Sequence, residues 1–160
     1  MPDAAVFHRE PDLLLADVDG VFVNCWTAPR VSLPLMEHLA EAQRAWAEGH
    51  GQRYAVLVLV DVGRAQGIDE DAKTLSVSHT RAMQERVIAN AQVAMGGGLR
   101  GLAALGVMKA QTMLSNPIYP TTSMRDLAAA TRWLAGHHPT VDAPALAQEA
   151  QRLFHGMERS

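Results

Sequence analysis

The chain has 160 residues, 48% of them apolar and 19% charged, with a formal net charge of −3. That length suits one domain able to bury about two-thirds of its unfolded surface, and the composition excludes a disordered chain. The acidic balance gives no sign of a nucleic-acid partner, and no apolar run reaches the roughly 20 residues of a membrane-spanning helix.

Ala5–Arg9 and Leu13–Val23 read as two strands joined by Glu10-Pro11-Asp12, whose proline and aspartate suit a tight reversal. The second strand is apolar at its ends and polar at Asp17 and Asp19, with Gly20 marking a bulge or bend. Asn24–Arg30 is a connecting loop. Ser32 is placed to cap a helix whose first turn holds Pro34, where a missing N–H costs little. Leu35, Met36, Leu39, Ala42, Ala45 and Trp46 then recur at helical spacing as far as Gly49.

Tyr54–Gly63, YAVLVLVDVG, is the most strand-like run of the chain. It is too short to span a membrane and too continuously apolar to leave one face wet, so it predicts a central strand covered on both sides. A helix follows from Asp69 to about Asn90, with acids at its positive end, and sparse apolar positions make it the more exposed one. Gln92–Met95 is a short strand ending in three glycines. Leu99–Leu114 is a small-residue-rich apolar helix predicted to sit deep against the sheet, and Asn116-Pro117 stops it. Ile118–Thr122 reads as a proline-interrupted edge strand, and Ser123 as the cap of a helix over Met124–Gly136. After His137-His138-Pro139, Ala143–Gly156 forms an amphipathic helix with Leu146, Ala150, Leu153 and Phe154 on one stripe. The order ββαβαβαβα plus a terminal helix predicts an α/β fold with a largely parallel core.

Thirteen of the seventeen acids precede Arg86 and none lies between Arg86 and Arg125, which leaves that segment mildly basic but no binding tract. One cysteine, Cys25, excludes an intrachain disulfide framework and a cysteine-cluster zinc site, and predicts a buried or inert thiol. No secretory leader is visible, and a cytoplasmic setting is expected. LLADVDGVFV resembles the opening of haloacid-dehalogenase-type phosphatases, in which Asp17 would attack phosphorus and Asp19 would handle the leaving-group proton. Gly96-x-Gly98-x-x-Gly101 has the form of a dinucleotide fingerprint. It reads first as a turn letting Gly101 and Gly106 pack closely, and secondarily as an anion site at Gly96, Gly97 and Gly98. The seven histidines lack a metal-type spacing and read as surface residues, so no metal or cofactor is expected. His79 is the histidine placed to approach Cys25 in space. Trp26, in its loop, is a candidate contact residue.

The phrases REPDLLLADVDG, LVLVDVGRAQGI, AMGGGLRGLAAL and RDLAAATRWL, with the element order, span roughly residues 6–136. They resemble the STAS-like family, relatives of bacterial anti-sigma-factor antagonists. The resemblance implies a mixed, mostly parallel sheet of about five strands flanked by helices over 1–137, with a C-terminal amphipathic helix and tail at 138–160. It also implies a non-catalytic regulatory role through a protein partner, a regulator or kinase-like protein. In the antagonists a serine after the central strand is phosphorylated. Here no hydroxyl stands between Asp61 and Thr74, so only the docking surface carries over: Asp61, Gly63, Arg64, Gln66 and Asp69. The terminal helix needs cover from its own domain or from a second copy, and a homodimer is the expectation. Two alternatives stand beside this reading: a carrier of a small molecule or lipid, with the Leu99–Leu114 helix lining its pocket, and the Asp17/Asp19 phosphatase.

Overall fold

The computed structural model of the chain describes residues 4–159. Its strands and helices follow one another as β1 (Ala4–Arg9), β2 (Leu13–Val18), β3 (Val21–Trp26), β4 (Arg30–Val31), α1 (Leu33–His50), β5 (Tyr54–Asp61) and β6 (Gly67–Ile68), then α2 (Glu70–Met83), β7 (Val87–Met95), α3 (Gly98–Ser115), β8 (Thr121–Met124), α4 (Leu127–His137) and α5 (Ala143–Glu158). The main sheet has the order β1-β2-β3-β5-β7-β8. Its first three strands pair antiparallel, and β3, β5, β7 and β8 pair parallel. The expected mixed α/β sheet is present, with six strands instead of about five.

The bounds of the elements depart from the sequence reading at four places. The run Leu13–Val23 is not one strand: Asp19 and Gly20 take φ of 51° and 84° and fold it into a two-residue hairpin. Aspartate-glycine is the pair that tolerates this left-handed turn, whose twist matches the flanking strands. The returning strand β3 runs to Trp26, into what reads from sequence as the Asn24–Arg30 loop. The helix expected to reach Asn90 ends at Met83, and β7 begins at Val87 instead of Gln92. There the buried set Val87, Ala89, Ala91 and Val93 recurs every second residue, the period of a strand. The last strand is shifted from Ile118–Thr122 to Thr121–Met124. Ser123 therefore lies inside it, and Asp126 caps α4 by accepting from Ala129 N–H at 3.1 Å.

Elsewhere the local signals hold. Ser32 accepts from Leu35 N–H at the start of α1, Pro34 sits in its first turn, and Gly51 closes it with φ of 72°. Asp69 precedes α2 without making a side-chain cap, because its carboxylate pairs with Arg30.

The two faces of the sheet are covered differently. On one, Ala16, Val23, Ala55, Leu57, Ala89 and Ala91 meet α4 and α5. The stripe Leu146, Ala150, Leu153 and Phe154 of α5 is buried there against the same chain. On the other face, Leu15, Phe22, Tyr54 and Val56 meet α1 and α2. Helix α3 lies on this second face but does not sit deep: Leu99 is 86% and Met113 80% exposed. Half-buried Ala104 and Met108 lie on its cavity side, and the exposed Ala103 lines the edge of the same space. With Leu99, Leu102 and Met113 turned to solvent, space remains beneath the helix.

Candidate functional site

That space is a cavity of about 520 Å³ between the sheet and helices α1, α2 and α3. Its floor is built from alternate residues of the central strands: Asn24 and Trp26 of β3, Val56, Val58 and Val60 of β5, and Asn90 and Gln92 of β7. Met36 and Leu39 of α1 and His79 and Met83 of α2 form one wall. The roof is α3, through Arg100, Ala103, Ala104, Val107, Met108 and Gln111, the i, i+3, i+4, i+7, i+8, i+11 series of one helical stripe. This size and an apolar lining with few polar groups are characteristic of small-molecule sites.

The polar groups of the wall are buried and mostly paired. Gln43 Nε2 donates to Tyr54 Oη at 2.9 Å, and Gln43 Oε1 lies 2.8 Å from His79 Nε2. With both ends of the amide engaged, its oxygen faces the imidazole and takes the proton of Nε2. Burial, with Arg44 adding repulsion, pushes the His79 pKa down to about 4, so the ring is neutral. Burial pushes Tyr119 up to about 12, against a bond with Thr80 that lowers it, and also raises Tyr54. Trp26 Nε1 donates to Asn24 Oδ1 at 2.7 Å. Trp26 is thus a buried strand residue facing the cavity, not a loop contact. The cavity continues into a smaller polar recess of about 60 Å³, bounded by Thr80, Asn90, Gln92, Gln111, Thr112 and Tyr119 among others.

The loop after β5, which carries the residues expected to dock a partner, forms the rim of this cavity. Asp61 Oδ1 accepts from Gly63 N–H at 3.1 Å, and its backbone oxygen accepts from Arg64 and Ala65 N–H. Arg64 and Gln66 are exposed, and Gln66 also lines the cavity mouth. Gly67–Ile68 pairs with Arg30–Val31, and the Arg30–Asp69 ion pair pins the loop beyond it. Arg100 of α3 donates to Gly63 O at 3.3 Å, tying lid to rim.

Gly96, Gly97 and Gly98 all have positive φ. A Cβ on Gly97 would stand 2.6 Å from Val62 Cγ2, and one on Gly101 would stand 2.9 Å from Gly96 O. The glycines let the loop after β7 close against the loop after β5, the close approach expected of Gly101. Gly106 has open space and needs no such explanation.

The phosphatase pair is not assembled. The β2–β3 turn lies at the end of the sheet where the parallel strands begin, opposite their C-terminal ends, because it leads directly into β3. Asp17 Oδ1 accepts from Gly20 N–H at 2.8 Å and its Oδ2 from Trp46 Nε1 at 3.1 Å, a turn-holding role. Cys25 faces α4 and α5, with burial pushing its thiol up to about 12, and His79 lies on the other side of the sheet. Among the described residues, His8, Glu10 and His38 are the cluster whose ligand atoms converge. Glu10 Oε2 lies 2.7 Å from His8 Nε2 and 2.8 Å from His38 Nδ1. The bond to His8 holds the Glu10 carboxyl below its ordinary range, partial burial opposes this, and His38 adds to the lowering.

Reading residues in isolation missed Asn24, Gln43, His79, Asn90, Gln92 and Gln111, the polar set of the cavity. The available signal was VIANAQVAM, where Asn90 and Gln92 interrupt an apolar strand on alternate positions, so two amides face a covered side.

No protein-family model matches this sequence, and neither does any curated protein sequence. A similar solved structure is that of an uncharacterized protein from the DUF3478 family with a SpoIIAA-like fold, from Shewanella loihica PV-4. The TM-score is 0.53 at 11% identity, over 84% of this chain and 95% of that one. At that identity the likeness concerns the fold alone: the chain has a SpoIIAA-like, that is STAS-like, fold. Among the described residues no helix is long and apolar enough to cross a membrane.

Proposed function

We propose that the chain is a binding domain that holds a small, mainly apolar molecule beneath α3. The observation that carries this reading is the cavity of about 520 Å³ in a fold whose opposite face is packed with small side chains. A helix that sets half-buried Ala104 over the sheet and turns Leu99 and Met113 outward preserves space instead of filling it. Titration with Nile red, an uncharged dye that brightens in apolar surroundings, tests the reading. The full chain is expected to bind the dye saturably at one site, and Ala104→Phe, which fills the space under the lid, to abolish that binding without lowering thermal stability. Absence of saturable binding, or equal binding by the variant, overturns it.

A second reading adds a protein partner to the same edge, as the STAS-like resemblance implies. It is favoured by the outward apolar residues Leu99 and Leu102, at the end of the lid that Arg100 ties to the rim loop carrying the exposed Arg64 and Gln66. In that reading the lid reports the state of the cavity to whatever docks on it. Arg64→Glu with Gln66→Glu is expected to weaken capture of the partner and leave the melting temperature unchanged; unaltered capture defeats this second reading.

A further inference from the structure

The polar recess at the end of the cavity lies between β7 on the floor and the last turns of α3 on the roof. Most of its polar groups are matched within the chain. Ser123 Oγ donates to Gln92 Oε1 at 2.9 Å, and Thr80 bonds the Tyr119 hydroxyl. Two atoms are not matched: Asn90 Oδ1 on the floor and Gln111 Nε2 on the roof are shut off from solvent and have no hydrogen-bond partner. Native structures rarely leave such groups unpaired without a reason. One atom is an acceptor and the other a donor, and both residues line the main cavity as well as the recess.

We propose that Asn90 and Gln111 are the head-group contacts of the cavity's ligand, an apolar molecule ending in an uncharged group that both donates and accepts a hydrogen bond. An alcohol or a primary amide has this chemistry. Its hydrogen goes to Asn90 Oδ1, its oxygen takes the Gln111 N–H, and its tail lies over Val58 and beneath Ala104. The inference rests on the cavity being a ligand site and specifies what that ligand is.

Charge argues for the neutral head. Among the described residues no ionised side chain borders the recess, so a carboxylate or phosphate buried there would lack a counter-charge and would meet the Asn90 oxygen unfavourably. The cation among the cavity's lining residues is Arg100, eleven residues before Gln111 on the same helix and therefore about 16 Å away along its axis. Its guanidinium is engaged with the rim at Gly63 O. His79 is neutral at physiological pH and is held by Gln43.

Displacement of Nile red by 1-decanol, decanamide and decanoate at pH 7.5 tests the proposal, since the three share a tail and differ in the head. The alcohol and the amide are expected to compete at about tenfold lower concentration than the carboxylate. Asn90→Leu and Gln111→Met are each expected to weaken decanol by about tenfold relative to the same variant's own Nile red affinity, the scale of one lost hydrogen bond. Gln111→Met changes a lid residue, so it keeps the test decisive if Asn90→Leu lowers stability. If the dye binds saturably but the three competitors are equal, or neither variant changes decanol, the head-group assignment falls and the cavity reading stands. Tighter binding of decanoate, lost in Arg100→Met, also overturns the assignment, by placing an acidic head at the rim. If the dye does not bind at all, the cavity reading itself falls and the head-group assignment falls with it.

Discussion

Leu57 and Val58 are neighbours on β5 and point to opposite sides of the sheet. On Leu57's side, Ala16, Ala55, Ala89 and Ala91 are small enough for α4 and α5 to come down onto the strands, with Ala130 and Ala150 meeting them from above. On Val58's side the strands present valines and amides, and α3 presents its own alanines across a gap. Small residues occur on both faces and have opposite results. Where the helix supplies long side chains between its alanines, as α5 does with Leu153 and Phe154, small residues on the sheet mean close packing. Where the helix turns long apolar side chains to solvent, as α3 does with Leu99, Leu102 and Met113, small residues leave a chamber. One face is built for stability, and the other gives up packing for space.

The comparison predicts unequal costs for matched truncations. Leu57→Ala removes a fully buried side chain from the packed face and is expected to cost about 2–5 kcal/mol, toward the upper end because its neighbours have little room to collapse. Val58→Ala, one residue along, enlarges a space that already exists and is expected to cost about 1 kcal/mol or less. Chemical denaturation of both variants in parallel checks this. Equal costs would mean that the chamber wall is as tightly supported as the core, and the two-face distinction would fail.

The difference between the faces also sets what the sequence could reveal. The run YAVLVLVD states its own burial, and Ser32-Leu-Pro announces α1, because each of these signals is local. The apolar stripe of α5 predicts a covered face, and the sheet of the same chain covers it. The Asp19-Gly20 hairpin was legible in principle, since aspartate-glycine between apolar runs is a strong turn signal, but a bend in a single strand satisfies the same letters. Helix α3 was misplaced for a deeper reason. Its composition says apolar and small, and both a buried helix and a lid over a cavity satisfy that description. Which side of the helix meets the sheet, and whether anything fills the gap, depends on β7 and α2 together. The cavity is an absence of contacts, and no residue encodes it alone.

The pH dependence of stability sharpens the comparison, because the two faces bury different titratable groups. On the packed face Cys25, pushed up to about 12, does not ionise between pH 4 and 8. On the chamber face His79 is held neutral with a pKa of about 4, against an ordinary value of 6.5. Its folded-state pKa is therefore depressed, and between these values the unfolded chain binds the proton that the folded chain refuses. Stability from this group is fully present above pH 6.5 and is lost as pH falls toward 4. At 1.36 kcal/mol per unit the loss amounts to at most about 3 kcal/mol. Glu10, also depressed, acts in a lower window: its contribution fades only below the ordinary carboxyl value of 4.5. His79→Gln keeps a neutral donor toward Gln43 and removes the titration. Denaturation midpoints of the wild type and this variant from pH 7 to pH 4.5 are expected to converge as the pH falls, the wild type losing stability faster. Parallel curves would show that His79 is solvated in the folded state. The chamber would then already admit water at its α2 wall, and the dry site that the ligand reading requires would not exist.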